Sequence, residues 1–97
     1  MEIKSIAQAG TFESSDILIM VEPARNGREI DIDSSVLIQY QDLLLKEINT
    51  VLDKYDIADI HLIAKDKGAL SCTIVARTET AVLRSIGLQK GTGYGTN

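Results

Sequence analysis

Near its N-terminus the chain has an unbroken apolar run, and a regular alternation of polar and apolar residues follows. Residues 17–21 are all apolar and three of the five are β-branched, which predicts a strand with considerable burial on both faces. Pro23 ends this strand or marks a sheet edge. Residues 28–33, REIDID, alternate acids with isoleucine, which predicts a second strand with its isoleucines towards the core. The Asn26-Gly27 pair tolerates the positive φ angles of a tight reversal, so the two strands are predicted to form a hairpin.

From Ser34 onward the apolar residues recur at intervals of three and four, which is the period of an amphipathic helix. The predicted helix runs for about five turns, and Ser34 or Ser35 is placed to cap its free N–H groups. The stripe that should face the core consists of Val36, Tyr40, Leu43, Leu44, Ile48, Val51, Leu52 and Tyr55.

Residues 58–77 predict a second hairpin, because apolar residues alternate on both sides of a polar turn at residues 65–68. The inner faces of its two strands consist of Ile60, Leu62 and Ala64, and of Leu70, Cys72, Ile74 and Ala76. Thr78 is expected to cap a short last helix, and Gly87 to end that helix in a left-handed conformation.

The predicted order of elements is β-β-α-β-β-α, which indicates the α+β class. We expect a four-stranded, largely antiparallel sheet made from two hairpins, with two helices covering one face. Residues 1–87 are expected to form a single domain, and the glycine-rich residues 88–97 a flexible tail.

Composition and charge narrow the range of functions. The chain has 97 residues, 44% of them hydrophobic, which suits one modest core with little stability to spare for a strained active site. A formal net charge of −4, with acids and bases interspersed, offers no basic surface to nucleic acid or to an anionic membrane. The single cysteine excludes an internal disulfide and favours a reducing, cytoplasmic setting. We expect neither a signal peptide nor a membrane span, because the apolar runs are too short.

Few side chains suggest chemistry of their own. The single histidine, His61, lies in a predicted strand, where a hydrogen-bonded strand residue is a simpler interpretation than a catalytic base. Cys72 is in phase with an inner strand face, so we expect a small buried apolar residue and not a thiol nucleophile. The acids beside isoleucines indicate a solvated strand face rather than a metal cage. A phosphate-binding loop requires a strand before it and a helix after it, and neither is predicted around Gly91, Gly93 and Gly95.

Residues 10–16, GTFESSD, cluster small polar and acidic side chains before the first predicted strand. This composition favours a turn or a cap, because such side chains bond readily to nearby backbone groups. The functional alternative is covalent modification, since a serine on a polar loop is accessible to another enzyme, which can supply the base for forming a phosphodiester. Spacing alone does not select modification at Ser14 or Ser15.

Three motifs carry a resemblance to a known family. AGTFESSD precedes the apolar strand, IDSSV opens the long helix, and DKGALSC lies in the second predicted hairpin. In this order they resemble the citrate lyase acyl carrier protein, the gamma subunit of that complex. The similarity extends from Ile3 through Ile86 and leaves out the glycine-rich tail.

The resemblance implies a carrier subunit without catalytic residues. In that family the serine of the AGT-x-ES motif bears a phosphoribosyl-dephospho-coenzyme A group through a phosphodiester bond, and the matching residue is Ser14. The less favoured position is Ser15, where the family often has glycine. The implied partners are the citrate lyase alpha subunit, which exchanges acetyl for citryl on the arm, and the beta subunit, which cleaves citryl to oxaloacetate. A prosthetic-group transferase, which installs the arm, is the third implied partner.

Two other interpretations stay open. The carrier subunit of malonate decarboxylase uses a similar arm, although AGTFES and DKGALSC favour citrate lyase. A small α+β interaction module without a prosthetic group belongs to a different class of function. Four-helix acyl carrier proteins do not match, because their Asp-Ser-Leu motif is missing and strands are predicted here.

Overall fold

The computed structural model describes residues 1–34 and 38–87, and its regular elements are four strands and two helices. They are β1 (Ala7–Gly10), β2 (Ile17–Glu22), β3 (Arg28–Ser34), α1 (Ile38–Lys54), β4 (Ile60–Asp66) and α2 (Ser71–Ser85). β1 was not predicted, because its four residues, AQAG, are too short to give a periodic signal.

The strands form one sheet in the order β1-β2-β4-β3. The two central strands, β2 and β4, are antiparallel, β1 is antiparallel to β2, and β3 is parallel to β4. Every second residue of the central strands is buried, starting with Ile17 in β2 and Ile60 in β4. The burial predicted for β2 is unequal on its two faces, because Ile17, Ile19 and Val21 are buried whereas Leu18 and Met20 are half-buried. The sheet therefore has one face in the core and one open face.

The predicted first hairpin is wrong, because β4 inserts between β2 and β3. The Asn26-Gly27 signal does mark a turn, and Gly27 has a φ of 89°. Its N–H donates to the Asp59 carboxylate (2.8 Å), and its carbonyl accepts from the N–H of Ile60 at the start of β4 (3.1 Å). The alternation predicted for β3 is confirmed, because its two isoleucines pack against the core while its acids are exposed.

The long helix, α1, confirms most of the predicted apolar stripe. Its buried members are Leu44, Ile48, Val51 and Leu52. Tyr40 and the nearby Tyr55 pack at the margin of the core, whereas Leu43 is exposed. Ser34, one of the two predicted caps, is the last residue of β3, and its hydroxyl donates to Asp66 (3.1 Å). The other predicted cap and the first stripe residue, Ser35 and Val36, lie outside the described residues.

The predicted fourth strand is in fact the beginning of α2, which is the largest correction to the sequence analysis. The predicted inner-face residues were Leu70, Cys72, Ile74 and Ala76, and of these only Ile74 is buried. The buried residues of α2 instead follow the helical period: Ile74, Thr78, Ala81, Val82 and Ser85.

The boundaries of α2 also differ from the prediction at one end. Thr78 does not cap a helix, because it is buried in the middle of α2, where its hydroxyl donates to the carbonyl of Ile74 (2.8 Å). At the other end the prediction is confirmed: Gly87 follows the C-cap residue Ile86 with a φ of 77°.

The α+β class is confirmed, as are the four-stranded, largely antiparallel sheet and the two helices on one face. α2 packs against β1, β2 and α1, and α1 also contacts β3. The element order is β-β-β-α-β-α and replaces the two predicted hairpins. Among the described helices none has the length and apolarity that crossing a membrane requires. The predicted tail, residues 88–97, lies outside the described residues.

Candidate functional site

Ser14 lies in the hairpin loop that joins β1 to β2. The two strands pair from Ala7 opposite Val21 to Gly10 opposite Leu18, and residues 11–16 form the loop beyond them. Gly10 has a φ of 94°, and a Cβ on it would lie 1.9 Å from the carbonyl oxygen of Ile17. The chain can therefore enter this loop only because position 10 is glycine.

Hydrogen bonds within the loop form a turn with the two serines at its centre. The N–H of Asp16 donates to the carbonyl of Glu13 (3.1 Å). Thr11 supports the turn from inside, because its hydroxyl accepts from the N–H of Glu13 (3.3 Å) and donates to the Asp16 carboxylate (2.7 Å). Ser15 has a φ of 64°, a conformation that glycine adopts most easily. The turn that composition predicted is confirmed.

The hydroxyl of Ser14 is accessible. Ser14 and Ser15 are both exposed, and neither hydroxyl has a hydrogen-bond partner in the part of the chain that the structure describes. The backbone of Ser15 is nevertheless held, because its N–H donates to the carbonyl of Lys67 (2.8 Å). The loop thus combines a fixed backbone with a free hydroxyl, as a modification by a second protein requires.

Asp16 fixes the base of the loop to α2. Its two carboxylate oxygens accept from Nε (3.1 Å) and Nη2 (3.0 Å) of Arg77, and one of them also accepts from the N–H of Ile17 (2.7 Å). The bonds from Arg77 lower the pKa of Asp16 to about 2, with help from Thr11 and Ile17 and against the opposing effect of burial. The negative charge of Asp16 is therefore paired with Arg77 and serves to hold the loop against α2.

A second loop, residues 67–70 between β4 and α2, lies against the serine loop and is shaped by Asp66, the last residue of β4. This carboxylate is buried and accepts bonds from the N–H groups of Gly68 (3.1 Å) and Ala69 (3.0 Å) and from the Ser34 hydroxyl. The turn was predictable from the sequence, whereas the role of Asp66 was not predicted. An aspartate two residues before a glycine is the signal that could have indicated it.

Lys67, in the same second loop, is joined to the serine loop by backbone and by side chain. Its N–H donates to the carbonyl of Asp16 (2.9 Å), and its carbonyl accepts from Ser15. Its ammonium nitrogen lies 5.0 Å from the centroid of the Phe12 ring, which belongs to the serine loop. The contact between these two loops was not predicted, because β2 was expected to pair with β3.

His61 lies on the open face of β4, away from the serine loop. Its Nδ1 is 2.5 Å from the Glu22 carboxylate on β2, and its Nε2 is 3.0 Å from the Asp31 carboxylate on β3. Both bonds raise the pKa of His61, the one to Asp31 more strongly, while desolvation acts in the opposite direction. The predicted hydrogen-bonded strand histidine is confirmed. The ligand atoms of Glu29, Asp31 and His61 lie within 4.8 Å of one another, a cluster that was not predicted because β3 and β4 were not expected to pair.

The remaining candidates of the sequence analysis do not join the serine loop. Cys72 lies in the first turn of α2 and is exposed, so the prediction of a buried apolar residue is wrong. The glycines of the tail, Gly91, Gly93 and Gly95, lie outside the described residues.

Comparison with known proteins gives a consistent set of similarities. A family profile described as malonate decarboxylase delta subunit (MdcD) matches residues 4–85. The citrate lyase acyl carrier protein of Latilactobacillus sakei is 47% identical over 87 residues, which cover 90% of this chain and 86% of the relative. That of Lactobacillus helveticus is 48% identical over 85 residues, 88% of each chain. A chain in the crystal structure of a Pseudomonas malonate decarboxylase hetero-tetramer in complex with malonate has the same fold, with a TM-score of 0.73, 19% identity and 87% coverage of both chains.

Proposed function

This chain belongs to the citrate lyase acyl carrier protein family, and on that premise we propose that Ser14 bears a phosphoribosyl-dephospho-coenzyme A group. The observation that carries the proposal is the exposed hydroxyl of Ser14 on a loop whose backbone is held by its neighbours. A carrier needs this combination, because the attachment point must be reachable while the domain around it stays folded.

The residues around Ser14 suit the attachment of a large anionic group. Ser14 is exposed, so a bulky substituent on its oxygen would not have to enter the core. The half-buried carboxylate of the loop, Asp16, is paired with Arg77. Lys67 adds a positive charge next to the loop. These features support Ser14 over Ser15, whose backbone is the one constrained by a positive φ and by the bond to Lys67.

The chemistry of attachment places few demands on this chain. A bond forms between the Ser14 oxygen and phosphorus, the hydroxyl proton passes to a base, and phosphorus loses the leaving group of an activated phosphoanhydride donor. We assign the base to the prosthetic-group transferase, because the single histidine of the chain is bound by Glu22 and Asp31 on the open face of the sheet. The chain itself contributes the nucleophilic oxygen and its presentation.

The proposed role is delivery between partner subunits without catalysis. When bound, the group supplies a terminal thiol that carries acetyl and citryl as thioesters. In our proposal the alpha subunit acts on the carried acyl group as a transferase and the beta subunit as a lyase, which yields acetate and oxaloacetate from citrate. Tethering raises the effective concentration of the reactant at each partner, so the carrier needs only a rigid anchor for the arm.

A second candidate is the carrier subunit of malonate decarboxylase. The family profile and the shared fold favour it, since both belong to malonate decarboxylase proteins. The identity of 47% to citrate lyase acyl carrier proteins supports the first proposal more strongly. Copurification from the native host separates the two, because the carrier should bring either citrate lyase or malonate decarboxylase subunits with it.

The test of the attachment site is intact mass spectrometry of protein made in its own host. The parent should carry the adduct, and peptide fragmentation should locate it on Ser14. Ser14→Ala should remove the adduct and the activity of the complex, whereas the control Ser15→Ala should retain both. An unmodified parent would favour the interaction module, and an adduct that persists in Ser14→Ala would contradict the site.

A further inference from the structure

We propose that Lys67, held above the ring of Phe12, is the counter-cation of the phosphodiester at Ser14. This inference rests on the proposed function and deepens it, because it names the residue that binds the phosphodiester through which the prosthetic group is attached. Lys67 lies in a different loop from Ser14 and far from it in the sequence.

The backbone fixes Lys67 next to the serine loop. Two backbone hydrogen bonds join the serine loop to the loop that contains Lys67. The N–H of Ser15 donates to the carbonyl of Lys67 (2.8 Å), and the N–H of Lys67 donates to the carbonyl of Asp16 (2.9 Å). The residue that follows Ser14 is thus bonded directly to Lys67. The backbone of Lys67 is therefore held beside the loop that carries the Ser14 oxygen.

The side chain of Lys67 is also directed towards this loop. Its ammonium lies 5.0 Å from the centroid of Phe12, which is two residues before Ser14. A cation over an aromatic face is attracted by the ring, and an exposed ring holds it without removing it from water. Phe12 itself is 51% exposed, so the core does not account for its place in the loop.

Within residues 1–34 and 38–87, no carboxylate forms an ion pair with Lys67. The ion pairs among the described residues involve Arg28, Lys54, His61 and Arg77, and none includes Lys67. In the serine loop, the carboxylate of Asp16 is already paired with Arg77. Lys67 therefore keeps its charge available for an anion on the neighbouring serine.

A phosphodiester carries a permanent negative charge, and it would be added to a chain whose net charge is already −4. A nearby ammonium offsets that repulsion. Because an exposed ion pair contributes little in water, the expected effect is about two- to five-fold in a rate or an equilibrium.

The test uses full-length protein, modified in vitro by the prosthetic-group transferase with its activated donor. Intact mass gives the rate of installation, and phosphorus NMR of the loaded protein reports the environment of the phosphodiester. In the parent its resonance should move as salt rises from about 20 to about 500 mM, because salt screens the ion pair. Lys67→Met should abolish that movement and slow installation by about two- to five-fold, and Lys67→Arg should restore both.

Two further variants sharpen the result. Lys46→Met, on the exposed side of α1, makes the same change in net charge and should match the parent. Phe12→Leu keeps an apolar side chain but removes the aromatic face, so it should give an intermediate loss.

The outcomes separate this inference from the proposed function. If no adduct forms on Ser14 of the parent, both fail. If the adduct forms and Lys67→Met matches Lys46→Met in rate and in phosphorus resonance, the counter-cation is wrong and the carrier function stands. If only the rate falls, Lys67 belongs to the docking surface of the transferase, which also overturns its role as counter-cation.

Discussion

Gly10 is the residue on which the geometry of the serine loop depends most directly. An alanine Cβ at this position would lie 1.9 Å from the Ile17 carbonyl oxygen, an atom of the adjoining strand. The backbone would have to move, and the positive φ would be strained as well. We expect Gly10→Ala to lower the free energy of unfolding by about 3 kcal/mol or more, measured by urea denaturation.

The chain offers a matched control for Gly10. Gly27 has a similar φ of 89°, but a Cβ there would meet no atom within 4 Å. Gly27→Ala should therefore cost only the backbone strain, about 1 to 2 kcal/mol. Equal losses in the two variants would show that the close approach to Ile17 is not what constrains Gly10.

The pairing of Asp16 with Arg77 predicts a loss of stability in acid. The pKa of Asp16 is lowered from 3.8 to about 2 in the folded chain, so its contribution is fully present above the unfolded pKa and is lost as pH falls through the folded one. Because Arg77 is 41% exposed, screening reduces the gain to about 1 to 2 kcal/mol. Asp16→Asn should cost that amount near neutral pH, and the cost should vanish between about pH 4 and about pH 2.

Urea denaturation across this pH range checks the prediction for Asp16. The control is Asp42→Asn on the exposed side of α1, which should change the free energy of unfolding by less than about 0.5 kcal/mol. A cost of Asp16→Asn that stays constant down to the lowest pH would be the contrary result.

At the scale of residues, the sequence predicted the local features of the site and missed the distant ones. The turn at Ser14 and Ser15 follows from composition, because serine and aspartate bond to nearby backbone. The partner of Asp16 is 61 positions away in Arg77, and no local pattern connects them. The contact between Phe12 and Lys67 was missed for the same reason.

At the scale of elements, α2 shows why a helix was predicted as a strand. Its N-cap is Leu70, which makes no side-chain cap hydrogen bond, so the usual signal for a helix start is missing. A residue that commonly caps helices, Thr78, lies inside α2 and bonds back to Ile74 instead. Between them the apolar residues alternate, a pattern that over so few residues fits strand and helix equally.

The exposure of Cys72 provides a direct test of where α2 begins. In a strand this thiol would face the core, whereas in the first turn of α2 it is exposed. We expect the native protein to react completely with a thiol reagent such as dithionitrobenzoate, at a rate within about ten-fold of the unfolded chain. Protection that is lost only after adding denaturant would contradict the helical assignment of this segment.

At the scale of the whole molecule, the order of the strands in the sheet could not be predicted from the sequence. β2 and β3 are joined by a short loop and carry a turn signal, yet β4 pairs with both of them and separates them. This arrangement depends on contacts between residues far apart in the chain, which periodicity does not encode. The α+β class was predictable from β2, β3, α1 and β4, whose types were predicted correctly. The count of four strands agrees only because the missed strand β1 replaces the strand that was predicted where α2 begins, and the strand order was not predictable.

The insertion of β4 has a consequence for the pH dependence of stability. His61 is the side chain on β4 that bonds to both neighbours, to Glu22 on β2 and to Asp31 on β3, with Glu29 close by. Its two ring nitrogens can both donate only when the imidazole is protonated. Protonated His61 therefore holds the three strands together, and its folded pKa is raised above the ordinary value of 6.5.

The raised pKa of His61 fixes the sign of the effect. Its stabilisation is fully present below the unfolded pKa and is lost as pH rises through the higher folded pKa. The difference in unfolding free energy between the parent and His61→Gln should thus shrink as pH increases from about 5.5 to about 9. Asp31→Asn removes the larger cause of the shift, so in that background the same difference should depend less on pH. Parallel stability curves for the parent and His61→Gln would mean that the imidazolium does not bridge the strands.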